Sequence, residues 1–259
     1  MQLCLSCSHD LYAVVFRHTH MSLSQITIIF FDAAGTLFHV KGSVGEIYAR
    51  LAHEHSKDVT VQDLEAGFRR CFANAPPMAF PNAAAEHIPQ LEKQWWHDLV
   101  HLVFALLGPF PRFTAYFDAL YDFFAQADAW QLYPETTETL TALQGRGFRL
   151  GVISNFDSRL FGLLDGLGIK HFFDPIVIST QAGSAKPEVE IFLQALSVDD
   201  FAPHQALHIG DSFDMDIVGA KAAGLTPVHV DRMSGRPNKT APFTVSRLDE
   251  LLALVVTPP

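Results

Sequence analysis

Ile26-Thr27-Ile28-Ile29-Phe30-Phe31-Asp32-Ala33-Ala34-Gly35-Thr36-Leu37 joins an unbroken apolar run to a carboxylate and a glycine turn. Its first six residues are apolar or Thr, with no alternation. That is the pattern of a strand covered on both faces, as the central strands of parallel sheets are. Four similar runs, at 148–154, 175–179, 206–210 and 226–230, alternate with segments of helical spacing at 137–143, 160–167, 188–196 and 216–223. Gly145, Gly168 and Gly224 stand where helix ends favour a left-handed residue. This alternation predicts an α/β fold: a Rossmann-like, doubly wound parallel sheet. Residues 246–255 read as a closing helix.

The rhythm breaks between the first strand and the second. Residues 43–127 contain no strand pattern, and helical spacing covers 44–55, 61–74, 83–107 and 112–127. Thr60 and Asp63 have the spacing of a capping box, and Pro76-Pro77 and Gly108-Pro109-Phe110-Pro111 punctuate the series. An all-helical block inside an α/β pattern predicts an inserted cap at 43–127, with the core formed by 22–42 and 128–259. Its aromatic residues, among them Phe68, Phe72, Phe80, Phe104, Phe117 and Phe124, are expected mainly in the cap's own core. His97 and His101, one helical turn apart, are expected to pack or face solvent rather than share a metal.

Composition narrows the function classes. Asp plus Glu is 28 against 18 for Lys plus Arg, a net charge of −10, which disfavours nucleic acid as a partner. Hydrophobic residues make up 49%, enough for a large core, and no apolar run reaches the length of a membrane helix. The three cysteines, Cys4, Cys7 and Cys71, are too few for a disulfide scaffold and suit a reducing cytoplasm, with Cys71 read as a small buried hydrophobe. Residues 1–21 carry neither a basic start nor a small-residue cleavage site, so they do not read as a secretory signal. Cys4-x-x-Cys7 with His18-x-His20 has zinc-ligand residue types but too tight a histidine spacing. The segment 1–21 is expected to be a disordered or non-native extension, with Met21 where the domain would begin.

Ligands of open parallel sheets bind beyond the carboxyl ends of the strands. There the chain places Asp32, Ser154-Asn155, Lys186 after a short loop, and Gly210-Asp211-Ser212 with Asp216 following. Asp32 can attack phosphorus and form a covalent intermediate. Asp211 and Asp216 are hard oxygen ligands suited to Mg²⁺, which they would hold against Asp32. Lys186 adds fixed positive charge, and the Ser154 hydroxyl can hold phosphoryl oxygens, with Asn155 nearby. Gly35 and Thr36 fit a tight turn whose backbone approaches substrate. Asp157 and Asp214 are read as helix-start residues, and His39 and Lys41 as surface residues near the site.

Asp32-x-x-Gly35-Thr36, Ser154, Lys186 and Gly210-Asp211-Ser212-x-x-x-Asp216 resemble the four motifs of the haloacid dehalogenase superfamily. The match runs from about Ile26 to the C-terminus, and the inserted helices resemble the cap of the subfamily that places it after motif one. Ile153-Ser154-Asn155-Phe156-Asp157 and Gln94-Trp95-Trp96 are similar to a narrower branch, the haloacid-dehalogenase-like hydrolase domain-containing protein three group. The resemblance implies a hydrolase that dephosphorylates a small phosphorylated metabolite through an aspartyl-phosphate, with Mg²⁺ held by Asp32, Asp211, Asp216 and the backbone carbonyl of Ala34. The departure is Ala34 itself. Phosphatases of the superfamily place there a second Asp that protonates the leaving oxygen and then activates water, work worth a factor of about 10² to 10⁴. Alanine keeps the carbonyl and loses the acid, so low or narrow activity is expected. A phosphonoacetaldehyde-hydrolase-like or other C–P or C–X hydrolase is an alternative. Phosphonoacetaldehyde hydrolases resemble the motif in having Ala there, although Lys41, Lys57 and Lys93 do not stand where their Schiff-base lysine is expected, while dehalogenases carry an aromatic there and lack the acidic pair. An impaired metal- and phosphate-binding regulatory protein is the remaining alternative.

Overall fold

The computed structural model describes residues 23–232 and 241–255. The segment 1–21, with its Cys4/Cys7/His18/His20 pattern, lies outside them. Six parallel strands form the sheet: β1 (Ile28–Phe31), β4 (Arg149–Ser154), β5 (Ile176–Ile178), β6 (Ala206–Gly210), β7 (Thr226–Val230) and β8 (Phe243–Val245), in the order β5-β4-β1-β6-β7-β8. A separate antiparallel ribbon pairs β2 (Phe38–Val40) with β3 (Trp130–Leu132).

The sheet explains the unbroken apolar run. Ile29 and Phe31 on one face join Leu150, Val152, Leu207 and Ile209. Ile28 and Phe30 on the other pack with Ile153, Ile191, Phe192 and Ala195. Helices α5 (Thr136–Gly145), α6 (Arg159–Gly166) and α10 (Leu251–Leu254) cover the first face, and α8 (Val189–Ser197) and α9 (Gly219–Ala222) the second. The short α7 (Ser179–Ala182) follows β5 directly. Phe30 and Phe31 are fully buried, each worth roughly 2–3 kcal/mol of transfer free energy.

β1 is central, with the chain winding to β4 and β5 on one side and to β6, β7 and β8 on the other. The register pairs Phe31 with both Val152 and Ile209. Asp32 therefore leaves the sheet between the ends of β4 and β6, and its N–H donates to Ile209 O at 2.8 Å. This is the switch point where such sheets bind ligands.

Between β2 and β3 the chain forms α1 (Val44–Glu54), α2 (Val61–Ala73), α3 (Ile88–Phe104) and α4 (Phe113–Phe124). These share their own cluster of Ile47, Tyr48, Leu51, Leu64, Val103 and Tyr116. Ser43 and Glu46 close a full capping box on α1. At Thr60 the hydroxyl accepts from the Asp63 N–H but also donates to the Asp63 carboxylate, so the reciprocal half of the expected box is missing. Pro89 sits in the first turn of α3, and residues 85–87 form a 3-10 turn, so the regular helix is shorter than 83–107. Cys71 is half-buried at the edge of this cluster rather than inside it.

Three strands escape the sequence pattern, because each is three residues long and two of them pair with each other across about ninety residues of chain. The region read as a closing helix at 246–255 is instead a 3-10 turn (Leu248–Glu250) and α10, preceded by β8, which extends the sheet edge. The Arg146 guanidinium donates to Leu252 O and Val255 O and ends α10. The helix expected at 216–223 starts earlier, as a π-helical turn (Phe213–Val218) running into α9. The wide turn is capped by the Ser212 hydroxyl, and Asp214 lies in its first turn.

The helical layer is tied to the sheet by a buried polar latch. The Glu92 carboxylate of α3, 1% exposed, accepts from the Thr180 hydroxyl at 2.6 Å, the Ser158 hydroxyl at 2.8 Å and the Ser158 N–H at 3.0 Å, all through one oxygen. One turn along, the Trp96 indole donates to Asp157 at 2.6 Å, and Asp157 accepts a two-pronged bond from Arg159. Asp157 thus anchors an ion pair while also accepting the Arg159 N–H at the start of α6. Glu92→Ala leaves three donors inside without a partner and is expected to lower stability by about 3 kcal/mol in urea unfolding. A loss under about 1 kcal/mol would show that the latch does not hold the layers together.

Candidate active site

The turn after β1 is shaped by close approach. Gly35 has φ +93°, and a Cβ there would lie 2.5 Å from an oxygen of the Asp211 carboxylate. A side chain at Gly210 would collide with the carboxylate of Asp216. Both glycines are therefore required for these carboxylates to stand against the strand ends. The turn's own hydrogen bonds run through Ala33 O and from Gly35 N–H to Phe38 O, leaving the Ala34 carbonyl out of them. Thr36 is fully buried, and the Arg232 guanidinium, stacked on Tyr133 and paired with Glu135, donates to its carbonyl at 2.9 Å.

Lys186 is the hub. Its ammonium, 3% exposed, donates to Asp32 Oδ1 at 2.7 Å and to Asp216 Oδ1 at 2.6 Å. The Ser154 hydroxyl donates to the same Asp32 oxygen at 3.1 Å. Asp216 is further held by His208 Nε2 at 2.9 Å and the Ser212 N–H at 3.0 Å. Asn155 lines the cavity, but its amide oxygen accepts the Lys186 N–H and its amide nitrogen donates to Lys186 O. Its side chain thus frames the lysine.

The charges are frustrated in a specific way. Asp32, Asp211 and Asp216 each offer a carboxylate oxygen, and these atoms lie within 4.8 Å of one another. Burial pulls Lys186 toward neutrality, but Asp216 and Asp32 outweigh it and hold its pKa above the ordinary lysine value. Burial also opposes ionisation of Asp216, yet Lys186 and His208 keep its pKa well below the usual carboxylate range. Asp32 is pushed up by burial, with Lys186 opposing and Asp216 adding to the rise. Asp211 is pushed up to about 7, first by burial and then by the charges of Asp32 and Asp216. One ammonium serves three carboxylates, and the shortfall falls on Asp211 and Asp32. A hard divalent cation would supply the missing charge, and all three residues are the oxygen donors such a cation prefers. Asp216 already takes three hydrogen bonds, whereas Asp211 and the second oxygen of Asp32 take no part in that network.

Sequence reasoning did not single out His208 or His229. Burial holds His208 neutral, with its pKa below the ordinary histidine value, so Nε2–H donates to Asp216. His229 Nε2 meets Asp211 O at 3.0 Å. The signal was a histidine one or two places before the end of an apolar strand, which two faces of hydrophobic packing would not otherwise admit. His39 packs on Tyr133 and bonds Val40 O and is not among the residues lining the cavity, and Lys41 is exposed. His97 and His101 stack on each other and meet Phe113 edge-on, as expected of packing residues.

Above the carboxylates a cavity of about 670 Å³ opens between sheet and helical layer. Asp32, Ala34, Ser154, Lys186, Asp211 and Asp216 form its floor. Of the aromatics expected in the helical core, Phe104 and Phe117 are there, and Phe68 and Phe124 pack against it; Phe68, Phe117 and Phe124 also line the cavity, Phe72 lines it without joining the core, and Phe80 belongs to a loop. The reason is packing geometry: α1 to α4 enclose one small core of their own, and the stripe left over faces the strand ends.

Comparison with known proteins agrees with this geometry. Residues 26–224 match the family model described as haloacid dehalogenase-like hydrolase. The chain is similar to haloacid dehalogenase-like hydrolase domain-containing protein 3 of Homo sapiens, 36% identical over 203 residues, covering 78% of this chain and 80% of that protein. A shorter match, 41% identical over 100 residues, covers 38% of this chain and 44% of a glyceraldehyde 3-phosphate phosphatase from Methanothermobacter thermautotrophicus. Among solved structures, a HAD-hydrolase of Bacillus subtilis bound to magnesium superposes with a TM-score of 0.69 at 20% identity, covering 89% of this chain and 98% of that one. No helix among the described residues is long and apolar enough to cross a membrane. The parallel α/β core, the carboxylate cluster at its switch point and these matches together establish that the chain belongs to the haloacid dehalogenase-like hydrolase family.

Proposed function

We propose that this hydrolase is a Mg²⁺-dependent phosphatase of small phosphorylated molecules, working through phospho-Asp32 and handicapped by Ala34. The observation that carries the reading is the Lys186 ammonium held at 2.7 Å from Asp32, beside three carboxylates within 4.8 Å of one another. A dehalogenase needs no such acidic cluster. A Schiff-base mechanism needs a free cavity lysine, but Lys57 is tied to the carbonyls of Leu107, Gly108 and Pro109, and Lys93 to Asp118. Relatives named as glyceraldehyde 3-phosphate phosphatases support phosphate monoesters as the substrate class.

In this reading 43–127 is the cap, and 22–42 with 128–259 the core. Asp32, Asp211, Asp216 and the Ala34 carbonyl would hold Mg²⁺, whose charge lets an anionic phosphate approach an anionic nucleophile. Asp32 attacks phosphorus; the bond to the leaving oxygen breaks, and an acyl phosphate forms on Asp32. Lys186 and the Ser154 hydroxyl hold the phosphoryl oxygens, while Gly35 and Thr36 shape the turn beneath them. Water then attacks phosphorus, releasing inorganic phosphate and regenerating the carboxylate. The methyl of Ala34 offers no proton to the leaving oxygen and no base for that water.

Acetyl phosphate has a leaving group that needs little protonation, so it tests the nucleophile apart from the missing acid. Mg²⁺-dependent turnover is expected in wild type and loss of it in Asp32→Asn. Ala34→Asp is expected to raise kcat on alkyl phosphates by a factor of about 10² or more. Turnover that survives Asp32→Asn would refute the covalent route. Because a ligand carboxylate must be deprotonated and Asp211 sits at about 7, Mg²⁺ competes with a proton below that pH. Calorimetry should therefore show affinity rising up to about tenfold per unit from pH 5 to 7 and levelling above it. A flat profile across that window would show that Asp211 is either outside the metal site or already ionised at pH 5.

A further inference from the structure

The cavity above Asp32 is walled largely by aromatic and aliphatic side chains. Phe68 stacks on Phe72 at 5.4 Å between ring centres, and Phe72 stacks on Trp96 at 6.3 Å with Trp95 edge-on at 6.2 Å. Across the opening Trp130 meets Phe124 and Phe156, each at 5.9 Å. These rings line the space and leave flat faces and edges on which another ring can stack. Phe72 remains 48% exposed, although a large apolar side chain gains by burial.

Among the described lining residues, all charged groups but one lie in the floor. Besides Lys186, Arg159 is the one cation among the described lining residues, and it is already spent. Its guanidinium donates to both oxygens of Asp157, at 2.9 and 2.6 Å, and to Tyr121 O at 3.1 Å, and it lies 4.0 Å over the Tyr121 ring. Asp157 is fully buried, so the pair is neutral as a unit. A second phosphate or a carboxylate on the substrate would find no unpaired cation among the described lining residues. A polyhydroxylated sugar would find rings where it needs hydrogen-bond partners.

Ala34 points the same way by a separate route. With no acid at that position the leaving oxygen must depart carrying its charge. A phenolic oxygen, with a pKa of about 10 like that of Tyr, tolerates this far better than an alkyl hydroxyl close to water at about 15.7. The group that leaves without help is also the group that stacks. Resting on the phosphatase reading above, we propose that the substrates are monophosphates of neutral, apolar phenols, with the aryl ring held against Phe72 and Trp96 and the phosphate on Lys186 and Ser154.

The test is a panel of substrates on the wild-type protein with Mg²⁺: 2-naphthyl phosphate, phenyl phosphate, glyceraldehyde 3-phosphate, glucose 6-phosphate and, as a control for the nucleophile, acetyl phosphate. The expected kcat/KM for 2-naphthyl phosphate exceeds that for either sugar phosphate by about 30-fold or more. It exceeds phenyl phosphate by about tenfold, since the second ring adds buried apolar area at nearly unchanged leaving-group acidity. Phe72→Ala should reduce the naphthyl-to-phenyl ratio about threefold or more, a ratio that folding losses do not move. Sugar phosphates turned over as well as 2-naphthyl phosphate, or a naphthyl-to-phenyl ratio near one, would overturn the proposal. If acetyl phosphate is not hydrolysed, the phosphatase reading fails, and binding decides the cavity's preference. Quenching of tryptophan fluorescence by 2-naphthyl phosphate, resisted by excess glyceraldehyde 3-phosphate, would support it; displacement at equal concentrations would overturn it.

Discussion

The ammonium of Lys186 is the charge on which the site depends. It lies almost wholly inside the protein between Asp32 and Asp216, where a lone ammonium would be driven toward neutrality. Two short ion pairs reverse that tendency, and the surroundings are built to keep them. Asn155 grips the lysine backbone on both sides, His208 and the Ser212 N–H fix Asp216, and the N–H of Asp32 is tied to β6. Removing the lysine would leave buried carboxylates facing one another, a loss well beyond that of a surface pair.

This arrangement is complete as scaffolding and incomplete in charge. Burial raises the pKa of Asp211, and the charges of Asp32 and Asp216 add to the rise beyond what Lys186 cancels. Gly35 and Gly210 maintain the crowding, since any larger residue would push Asp211 or Asp216 away from the strand ends. Stability is given up at these positions for an electrostatic arrangement that a cation or an anionic ligand with its cation can relax.

The helical layer contributes in two ways. Through Glu92, Thr180, Ser158 and the Trp96–Asp157–Arg159 chain, it is bonded to the sheet at fixed points. The same helix α3 carries Trp95 and Trp96 into the cavity wall, so the latch that holds the layer also sets where those rings stand. Aromatic side chains of the helical layer and the carboxylates at the strand ends thus line one cavity.

By itself the sequence determined the α/β core, because strands buried on both faces show as long apolar runs, and it placed Asp32, Ser154 and Asp211 at the ends of such runs, with Lys186 and Asp216 shortly after them. It also showed that residue 34 is an alanine with no ionisable group, which is a matter of residue identity. Only the tertiary structure decided which elements pair across great chain distance: the β2–β3 ribbon, the edge strand β8 and the Glu92 latch join residues with no local signature of contact. It alone turned Asn155 onto the Lys186 backbone, brought His208 beneath Asp216, and divided the aromatics between core and cavity. Periodicity tells which side of a helix is apolar, whereas the neighbour that side meets depends on how separate layers pack.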